Sequence, residues 1–299
     1  MRKVLLLAVC LATLMAACGT TGGPTPRGGR GGTIVVGVSG AFTENQLVAE
    51  MYAQVLENAG YRVERQFDLR SRELSQNALE SGQIDLKPEY LSSLLLFLDP
   101  NADTSELPDV VAEEDAGLLH SKGITVLTPS QAHDTNEFVA NAQTARRFHL
   151  TTMSSLAPVA GQLRFGGPPE CPQRLNCLLG LDKVYGILFD DFLPLDVGGP
   201  QTIKALEDNQ VQVGLLFSTD PSIRENGFVP LVDDRHLQNA ENITPVIRSA
   251  VLNDRIRALL DGVSSKLTTG NVTAMVGHIV HGEDLPQTAR SFLIEHGLL

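Results

Sequence analysis

The sequence predicts an α/β protein in which strands and helices alternate, and two patterns near its start carry this prediction. A continuous apolar run over residues 33–38 is typical of a strand buried on both faces. Apolar residues at helical spacing follow it and end at Gly60, a residue type that commonly stops a helix. The same patterns then predict a strand over 62–67, a helix over 71–81 and a short strand over 84–86. This βαβαβ order implies a parallel sheet with right-handed crossovers.

Both predicted helices begin with residues that favour a helix N-terminus. Thr43 is expected to cap the first helix, with Gln46 reaching back in a capping box. Ser71 is expected to cap the second helix. A helix N-terminus carries partial positive charge, so these positions can also attract a carboxylate. Capping alone is the alternative to ligand contact for Thr43.

A short internal similarity predicts two lobes of similar build. Residues 78–86 resemble residues 205–213, and each stretch reads as a helix end, a polar turn and a strand. Ligands of open α/β sheets bind beyond the carboxyl ends of the strands. We therefore expect residues 87–90 and 217–220 to face each other across a cleft. From Asn253 onward the apolar spacing predicts packing helices.

The N-terminus predicts export and a lipid anchor. Residues 1–17 combine a positive start with an apolar stretch too short to span a membrane, as in a signal peptide. The stretch ends in LMAAC, which resembles a bacterial lipobox with Cys18 as the lipid-bearing first mature residue. An ordinary signal peptide followed by a chance cysteine is the alternative. Residues 18–32, rich in Gly, Thr and Pro, predict a flexible tether.

Charge and cysteine content exclude some partners and predict one covalent link. The 23 basic and 35 acidic residues give a formal net charge of -12, which argues against nucleic acid as a partner. Cys171 and Cys177 lie in the exported part of the chain and predict a disulfide. A metal site is the alternative, but two cysteines with no adjacent histidine supply too few ligands.

The sequence predicts no enzyme, cofactor or metal site. It contains no Walker loop, dinucleotide-binding fingerprint, HExxH motif or GxSxG elbow. The acidic pairs at 190–191 and 233–234 are adjacent residues, whose side chains diverge on a helix or strand, which disfavours acid/base catalysis. His278 and His281 are three residues apart, but a solvated helix end accounts for them more simply than a ligand pair.

Five short motifs carry a resemblance to a known family. They are VSGAFTE at 38–44, IDLKPEY at 84–90, DTN at 134–136, LDVGG at 195–199 and FSTD at 217–220. In this order they resemble the glycine betaine/carnitine/choline-binding family, the osmoprotectant-type solute-binding proteins of ABC importers, over about residues 33–299. The resemblance implies a type II periplasmic-binding-protein fold, in which two α/β lobes joined by a two-strand hinge enclose a ligand cleft. It places lobe I at residues 33–128 and 230–299 and lobe II at 129–229.

The resemblance also implies a set of ligand-binding residues at the cleft. Tyr90 matches a family residue that helps to hold a quaternary ammonium group by cation–π attraction, with a place in the core as its alternative. The stretch 134–136 could instead form a structural turn, and Phe217 is ranked behind its neighbours as a core residue. The implied residues are Phe42, Thr43, Asn45, Gln46, Ser71, Lys87, Tyr90, Ser92, Asp134, Thr135, Asn136, Ser218 and Thr219.

Two departures from the family pattern predict an incomplete aromatic cage. Residues 236–242 contain no aromatic side chain, and Lys87 stands where an aromatic residue is common. A lysine ammonium beside the ligand would repel a trimethylammonium group and attract a carboxylate or phosphate. The alternatives for Lys87 are solvent exposure or a pair with Glu89. We therefore expect a small polar or zwitterionic solute, with glycine betaine as one candidate.

The sequence thus predicts a monomeric, lipid-anchored solute-binding protein on the extracytoplasmic face of the cell membrane. Its lobes would close around one solute and deliver it to an ABC permease driven by a cytoplasmic ATPase. The alternative is a ligand-sensing lipoprotein that uses the same fold to signal to a partner without transport. An enzyme on this scaffold is disfavoured because no catalytic set was found.

Overall fold

The computed structural model describes residues 32–40, 42–104, 107–239 and 241–299. The predicted signal peptide, Cys18 and residues 19–31 of the predicted tether lie outside these ranges. Within them, no helix combines the length and the apolar character that crossing a bilayer requires.

Two five-stranded sheets confirm the predicted α/β fold with two lobes. The sheet of lobe I contains β1 (Thr33–Gly37), β2 (Arg62–Gln66), β3 (Leu86–Tyr90), β4 (Ile124–Val126) and β10 (Ile243–Arg248). The sheet of lobe II contains β5 (Asn136–Ala140), β6 (Arg164–Gly167), β7 (Asp191–Pro194), β8 (Val213–Phe217) and β9 (Val229–Pro230). The strand orders are β2-β1-β3-β10-β4 and β7-β6-β8-β5-β9, so the two lobes share one topology.

Helices cover both sheets, and the predicted packing helices after Asn253 are confirmed. Those of lobe I are α1 (Thr43–Asn58), α2 (Arg72–Ser81), α3 (Leu91–Leu98), α4 (Pro108–His120), α10 (Asp254–Ser264), α11 (Thr269–Val280) and α12 (Leu285–Glu295). Those of lobe II are α5 (Ala142–Phe148), α6 (Met153–Leu156), α7 (Leu178–Gly180), α8 (Pro200–Glu207) and α9 (Ser222–Glu225). The last three helices all pack on α1, which buries the apolar stripe that predicted it.

The internal similarity marks equivalent places in the two lobes. In lobe I the backbone N–H groups of residues 83 and 84 both donate to the carbonyl oxygen of Ala78, and in lobe II those of residues 210 and 211 both donate to that of Ala205. The turns between helix and strand use left-handed residues at matching positions, Gly82 at φ 79° and Asn209 at φ 54°. Each turn leads into the central strand of its sheet, β3 or β8, whose end faces the other lobe.

Two antiparallel segments connect the lobes, as the predicted two-strand hinge requires. His133 and Asn242 form an isolated antiparallel bridge. The backbone N–H of Asp134 donates to the carbonyl oxygen of Glu241 at 3.1 Å. Pro230 still pairs with Val139 in the sheet of lobe II, so the chain returns to lobe I only after β9.

The predicted capping box at the start of α1 is wrong. The helix begins at Thr43, and the residue at its cap position is Phe42, which makes no side-chain capping bond. The preceding loop is instead held by Asn45, whose side-chain oxygen accepts from the backbone N–H groups of Ser39 at 2.9 Å and Gly40 at 3.1 Å. The predicted cap at Ser71 is confirmed, since its hydroxyl accepts from the backbone N–H of Leu74.

Strand β3 lies later in the sequence than the apolar pattern predicts. Residues 84–86 were expected to be the strand, but the ladder runs from Leu86 to Tyr90. All five of its residues are buried because β3 is the central strand, with neighbours on both sides and helices on both faces. The charged pair Lys87 and Glu89 therefore lies inside the protein. Because these two residues are polar, the apolar pattern did not include them in the predicted strand.

Replacing Asp115 with asparagine is expected to stabilise the protein at neutral to mildly alkaline pH. The carboxyl lies on α4 with no exposed surface, and neither oxygen has a hydrogen-bond partner among the described residues. Burial and the nearby Glu89 raise its pKa to about 9. A carboxyl whose pKa is raised on folding contributes stability below its unfolded pKa and loses it as pH rises towards the folded value. The asparagine variant has no such loss, so its advantage should reach roughly 2–5 kcal/mol at pH 8.

Urea unfolding of the wild type and the variant at pH 5 and pH 8 measures this difference. The exposed neighbour Glu114 offers the matched control, since Glu114→Gln should leave the free energy of unfolding nearly unchanged at both pH values. An asparagine variant no more stable than the wild type at pH 8 would contradict the buried, protonated state of Asp115.

Candidate ligand-binding cleft

A small cavity lies between the two lobes at the ends of β3 and β8. Its volume is about 120 Å³, and both lobes line it, lobe I with Tyr90 and Arg72 and lobe II with Arg174 and Phe217. We call it the inner cavity. A larger outer groove of about 760 Å³ adjoins it, because Phe42 and Phe217 line both.

Aromatic side chains form the end of the inner cavity that adjoins the outer groove. The rings of Phe42 and Phe217 stack across the cleft with centroids 5.0 Å apart and planes 15° apart. Tyr90 stacks on Phe42 at 6.0 Å. Phe42 belongs to lobe I and Phe217 to lobe II, so this stack must separate when the lobes part. The three rings bring together more aromatic surface than the sequence predicted.

Two buried carboxyl groups flank these rings. The Tyr90 hydroxyl donates to Glu44, and it accepts from the side-chain amide of Asn45 at 3.1 Å. Asp134 accepts from the hydroxyl of Thr219 at 2.7 Å and from its backbone N–H at 3.3 Å. Burial and the charge of Asp134 raise the pKa of Glu44 well above its usual range. Burial also raises the pKa of Asp134 to about 7, because the Thr219 hydrogen bonds offset only part of that effect.

Arginine and amide side chains form another end of the inner cavity. Arg72, Ser93, Arg174 and Asn176 line both the inner cavity and an adjoining space of about 190 Å³ that shares no lining residue with the outer groove. Arg72 donates from Nε to Glu89 at 3.1 Å. Burial alone would lower the pKa of Arg72, but Glu89 and other nearby acidic groups outweigh this effect. The pKa is raised overall, so the guanidinium stays charged. This end therefore offers positive charge and several N–H donors.

The disulfide confirms the predicted pairing of Cys171 with Cys177 and carries part of the site. The loop that it closes joins two cysteines six positions apart and holds Arg174 and Asn176. Arg174 pairs with Glu73 of α2, and the Asn176 side-chain amide donates to Ser93 of α3 at 2.8 Å. The bridge thus holds a loop of lobe II against two helices of lobe I.

Replacing both cysteines with serine is expected to weaken ligand binding as well as stability. Loss of the crosslink should cost about 2 kcal/mol by the loop-entropy relation. Because Arg174 and Asn176 would then have to be ordered by the ligand, the Kd should rise several-fold. Thermal unfolding and titration calorimetry measure the two effects, with wild-type protein treated with a reductant as the control. An unchanged Kd beside a lowered Tm would limit the disulfide to a structural role.

Most of the residues implied by the sequence lie at or beneath the cleft. One group lines the inner cavity and consists of Phe42, Ser71, Tyr90, Asp134 and Asn136. A second group lines the outer groove and adds Thr43, Gln46 and Thr219. Asn45 is fully buried beneath the site, where it fixes the Ser39–Gly40 loop and the Tyr90 hydroxyl.

The remaining implied residues lie elsewhere. Lys87 has no exposed surface, and its ammonium donates to Glu89 at 2.6 Å and to Ser75 at 3.1 Å, so its predicted ligand contact is corrected to a buried ion pair. Ser92 is buried, with no hydrogen-bond partner for its hydroxyl among the described residues. Ser218 lines a separate surface groove and accepts from the backbone N–H of Thr135 at 3.0 Å.

Sequence reasoning placed Phe217 in a stretch that faces the cleft but not among the ligand contacts, and it missed Arg72 and Arg174. Phe217 was ranked behind Ser218 and Thr219, although it ends the strand that faces the cleft. Arg72 directly follows the predicted helix cap at Ser71, and that position could have drawn attention to it. Arg174 gave no local signal, because only the fold brings the disulfide loop to lobe I.

Two α/β lobes of one topology, a two-strand connection and a cleft at the ends of their central strands define a solute-binding protein of the periplasmic-binding type. A family model described as the substrate-binding domain of ABC-type glycine betaine transport systems matches residues 32–295, and the chain belongs to that family. Such proteins capture a small solute outside the cytoplasm and deliver it to the permease components of an ABC importer, and this is the function of the chain.

Named relatives and solved structures agree with this family. A glycine-betaine-binding protein of Pseudomonas aeruginosa is 28% identical over 275 residues, 86% of each chain. A carnitine transport binding protein of Listeria monocytogenes is 26% identical over 227 residues, 75% of this chain and 71% of its own. A crystal structure described as a glycine betaine/carnitine/choline ABC transporter matches with a TM-score of 0.69 at 21% identity, over 89% of this chain and 98% of that one. None of these relatives supports the sensing alternative.

Proposed function

We propose that the solute is a small zwitterion whose cationic nitrogen binds at the aromatic end of the inner cavity and whose carboxylate binds at the arginine end. The observation that carries this proposal is the division of charge in one cavity. Tyr90, Phe42 and Asp134 offer π-faces and a carboxyl group, while Arg72 and Arg174 offer guanidinium groups at the other end. A third arginine, Arg70, is exposed and lies where the cavity meets the outer groove. A cation is attracted to both an aromatic face and a carboxylate, and a carboxylate to an arginine fork.

The size of the cavity and the names of the relatives favour the same class of ligand. A volume of about 120 Å³ is below the roughly 300–1,000 Å³ typical for drug-sized ligands. The relatives named for glycine betaine and carnitine bind zwitterions of this small size. The volume supports a solute of a few heavy atoms, and the names of the relatives support one charge of each sign.

Binding in this site would work by closure of the lobes and involves no chemical conversion. The Phe42–Phe217 stack and the Arg174–Glu73 pair both join lobe I to lobe II, so a ligand between them stabilises the closed arrangement over the open one.

We further propose that the protein is a monomer held at the membrane by lipid on Cys18. Metabolic labelling with a radioactive fatty acid tests the anchor, with Cys18→Ser as the unlabelled control.

Titration calorimetry of the purified protein tests the ligand class. Small zwitterions such as glycine betaine, N,N-dimethylglycine and carnitine should bind one to one, and the ligand-bound protein should melt at a higher temperature. Choline keeps the cation without the carboxylate and acetate keeps the carboxylate without the cation, so each should bind at least about tenfold more weakly than the best zwitterion. Choline or acetate binding as tightly as any zwitterion would overturn the proposal.

A further inference from the structure

Two buried carboxyl oxygens beside the aromatic rings of the cleft have no hydrogen-bond partner in the described part of the protein. These are Glu44 Oε1 and Asp134 Oδ2. Their residues are only 2% and 5% exposed, and the other oxygen of each carboxyl is already used, by Tyr90 and by Thr219 respectively. Asp134 lines the inner cavity and Glu44 lines the adjoining outer groove, so each carboxyl group borders the cleft.

Aromatic rings alone would not require this arrangement. A quaternary ammonium group has no N–H, so it can neutralise a carboxylate but cannot donate a hydrogen bond to it. Buried polar atoms are nearly always paired, and an unpaired one is costly. The two unpaired oxygens therefore favour a ligand cation that carries N–H groups and can donate hydrogen bonds to them.

We propose that Glu44 and Asp134 select a cationic nitrogen that carries at least one N–H, so that a protonated amine binds in preference to its quaternary analogue. This proposal rests on the zwitterion site proposed above and specifies its cation. Each free oxygen accepts one N–H of the ligand, while Phe42 and Tyr90 contact the remaining alkyl groups. An amine with two N–H groups can satisfy both oxygens at once.

The relative size of two opposing effects decides the preference. Replacing an N–H by a methyl group buries one more carbon against the rings, which favours binding by about fourfold. The same change leaves a buried carboxyl oxygen without a partner, which disfavours binding by roughly 5- to 150-fold. The unpaired oxygen is the larger effect across this range, so methylation to the quaternary state should weaken binding.

The surrounding charges favour a cation between Glu44 and Asp134. The charge that raises the pKa of Glu44 is that of Asp134, and the charges that raise the pKa of Asp134 are those of Glu241 and Asp220. These carboxyl groups repel one another, and a ligand cation between Glu44 and Asp134 would relieve that repulsion.

Titration calorimetry with glycine betaine, N,N-dimethylglycine and sarcosine tests the proposal, because these zwitterions differ only in the number of methyl groups on nitrogen. We expect N,N-dimethylglycine to bind roughly 1.3- to 40-fold more tightly than glycine betaine, which is the effect of the unpaired oxygen divided by that of the extra methyl group. Glycine betaine binding as tightly as both amines, or more tightly, would overturn the selection for N–H while leaving the zwitterion site intact. If none of the three bound, the proposed ligand class itself would fail, and this inference with it.

Variants of the two carboxyls locate the effect. Glu44→Gln and Asp134→Asn should each reduce the ratio of amine to quaternary affinity towards one, because each removes a charged acceptor from the cation position. Glu137→Gln is the matched control, since this carboxyl is also partly buried with a raised pKa but lines a different groove. The control should keep the wild-type ratio. A wild-type ratio in both cleft variants would assign the discrimination to other residues and overturn the proposal. If a variant fails to fold, the titrations of the wild-type protein with the three zwitterions still test whether N–H groups are selected.

Discussion

Replacing Arg72 with glutamine is expected to weaken zwitterion binding by at least about a hundredfold while the empty protein stays folded. The guanidinium of Arg72 is one of two at the arginine end of the inner cavity, beside that of Arg174, and it is held there by Glu89 at 3.1 Å. Glutamine keeps part of the side-chain length but loses the charge and the planar fork of donors that grips a carboxylate. The fold should survive because Lys87 still compensates Glu89 at 2.6 Å. Calorimetry gives the change in Kd, and thermal unfolding without ligand gives the change in Tm.

Two further variants separate the role of Arg72 from a general effect of charge. Arg72→Lys keeps the charge without the fork, so its affinity should lie between those of the wild type and the glutamine variant. Arg65→Gln removes another arginine of lobe I, one that pairs with Glu50 and Glu57 outside the cleft, and it should leave the Kd unchanged. Wild-type affinity in Arg72→Gln would mean that the carboxylate is bound by other groups.

The fold was predictable because its signals are local. The buried strand at 33–38, the cap at Ser71 and the helical stripes after Asn253 each depend on neighbouring residues, and all three are confirmed. The similarity between 78–86 and 205–213 also held, since the two stretches occupy equivalent places in sheets of one topology. These features report periodicity and backbone conformation, which short stretches of sequence encode.

Within β3 the sequence prediction failed because the strand was ended too early. With the strand running from Leu86 to Tyr90, alternate side chains point to opposite faces of the sheet. Lys87 and Glu89 therefore share one face, and Tyr90 occupies the other, where its hydroxyl reaches Glu44. Had the strand been extended to residue 90, period-two alternation would have separated Lys87 from Tyr90. Tyr90 packs within the core of lobe I as well as lining the inner cavity.

Other parts of the site were beyond reach of the sequence because they depend on how the lobes meet. Arg174 and Asn176 approach lobe I only through the position of the disulfide loop. Their partners Glu73 and Ser93 are 101 and 83 residues away in the sequence, respectively. The Phe42–Phe217 stack likewise joins the two lobes. Such contacts depend on how the two lobes pack, and the spacing of residues in the sequence does not predict them.

Replacing Glu89 with glutamine is expected to produce the largest loss of stability among single changes near the cleft, about 3–5 kcal/mol. The carboxylate is fully buried between Lys87 at 2.6 Å and Arg72 at 3.1 Å, so its removal leaves two cations with less compensation in the interior. Burial alone would raise the pKa of Glu89, but Arg72 and Lys87 outweigh it and lower the pKa below its usual value. Urea or thermal unfolding of the empty protein at pH 7 measures the loss.

The pH dependence of this loss distinguishes the ion pair from simple packing. Because the folded pKa of Glu89 is depressed, its contribution is fully present above the unfolded pKa of about 4.3 and is lost as pH falls through the folded value. The gap between wild type and Glu89→Gln should therefore be constant near pH 7 and narrow below about pH 4. Glu57→Gln is the control, since this half-exposed partner of Arg65 should cost less than about 1 kcal/mol. A gap that stayed constant at acidic pH would mean that the glutamine disturbs packing, and the charge of Glu89 would then not be what holds Lys87 and Arg72 in place.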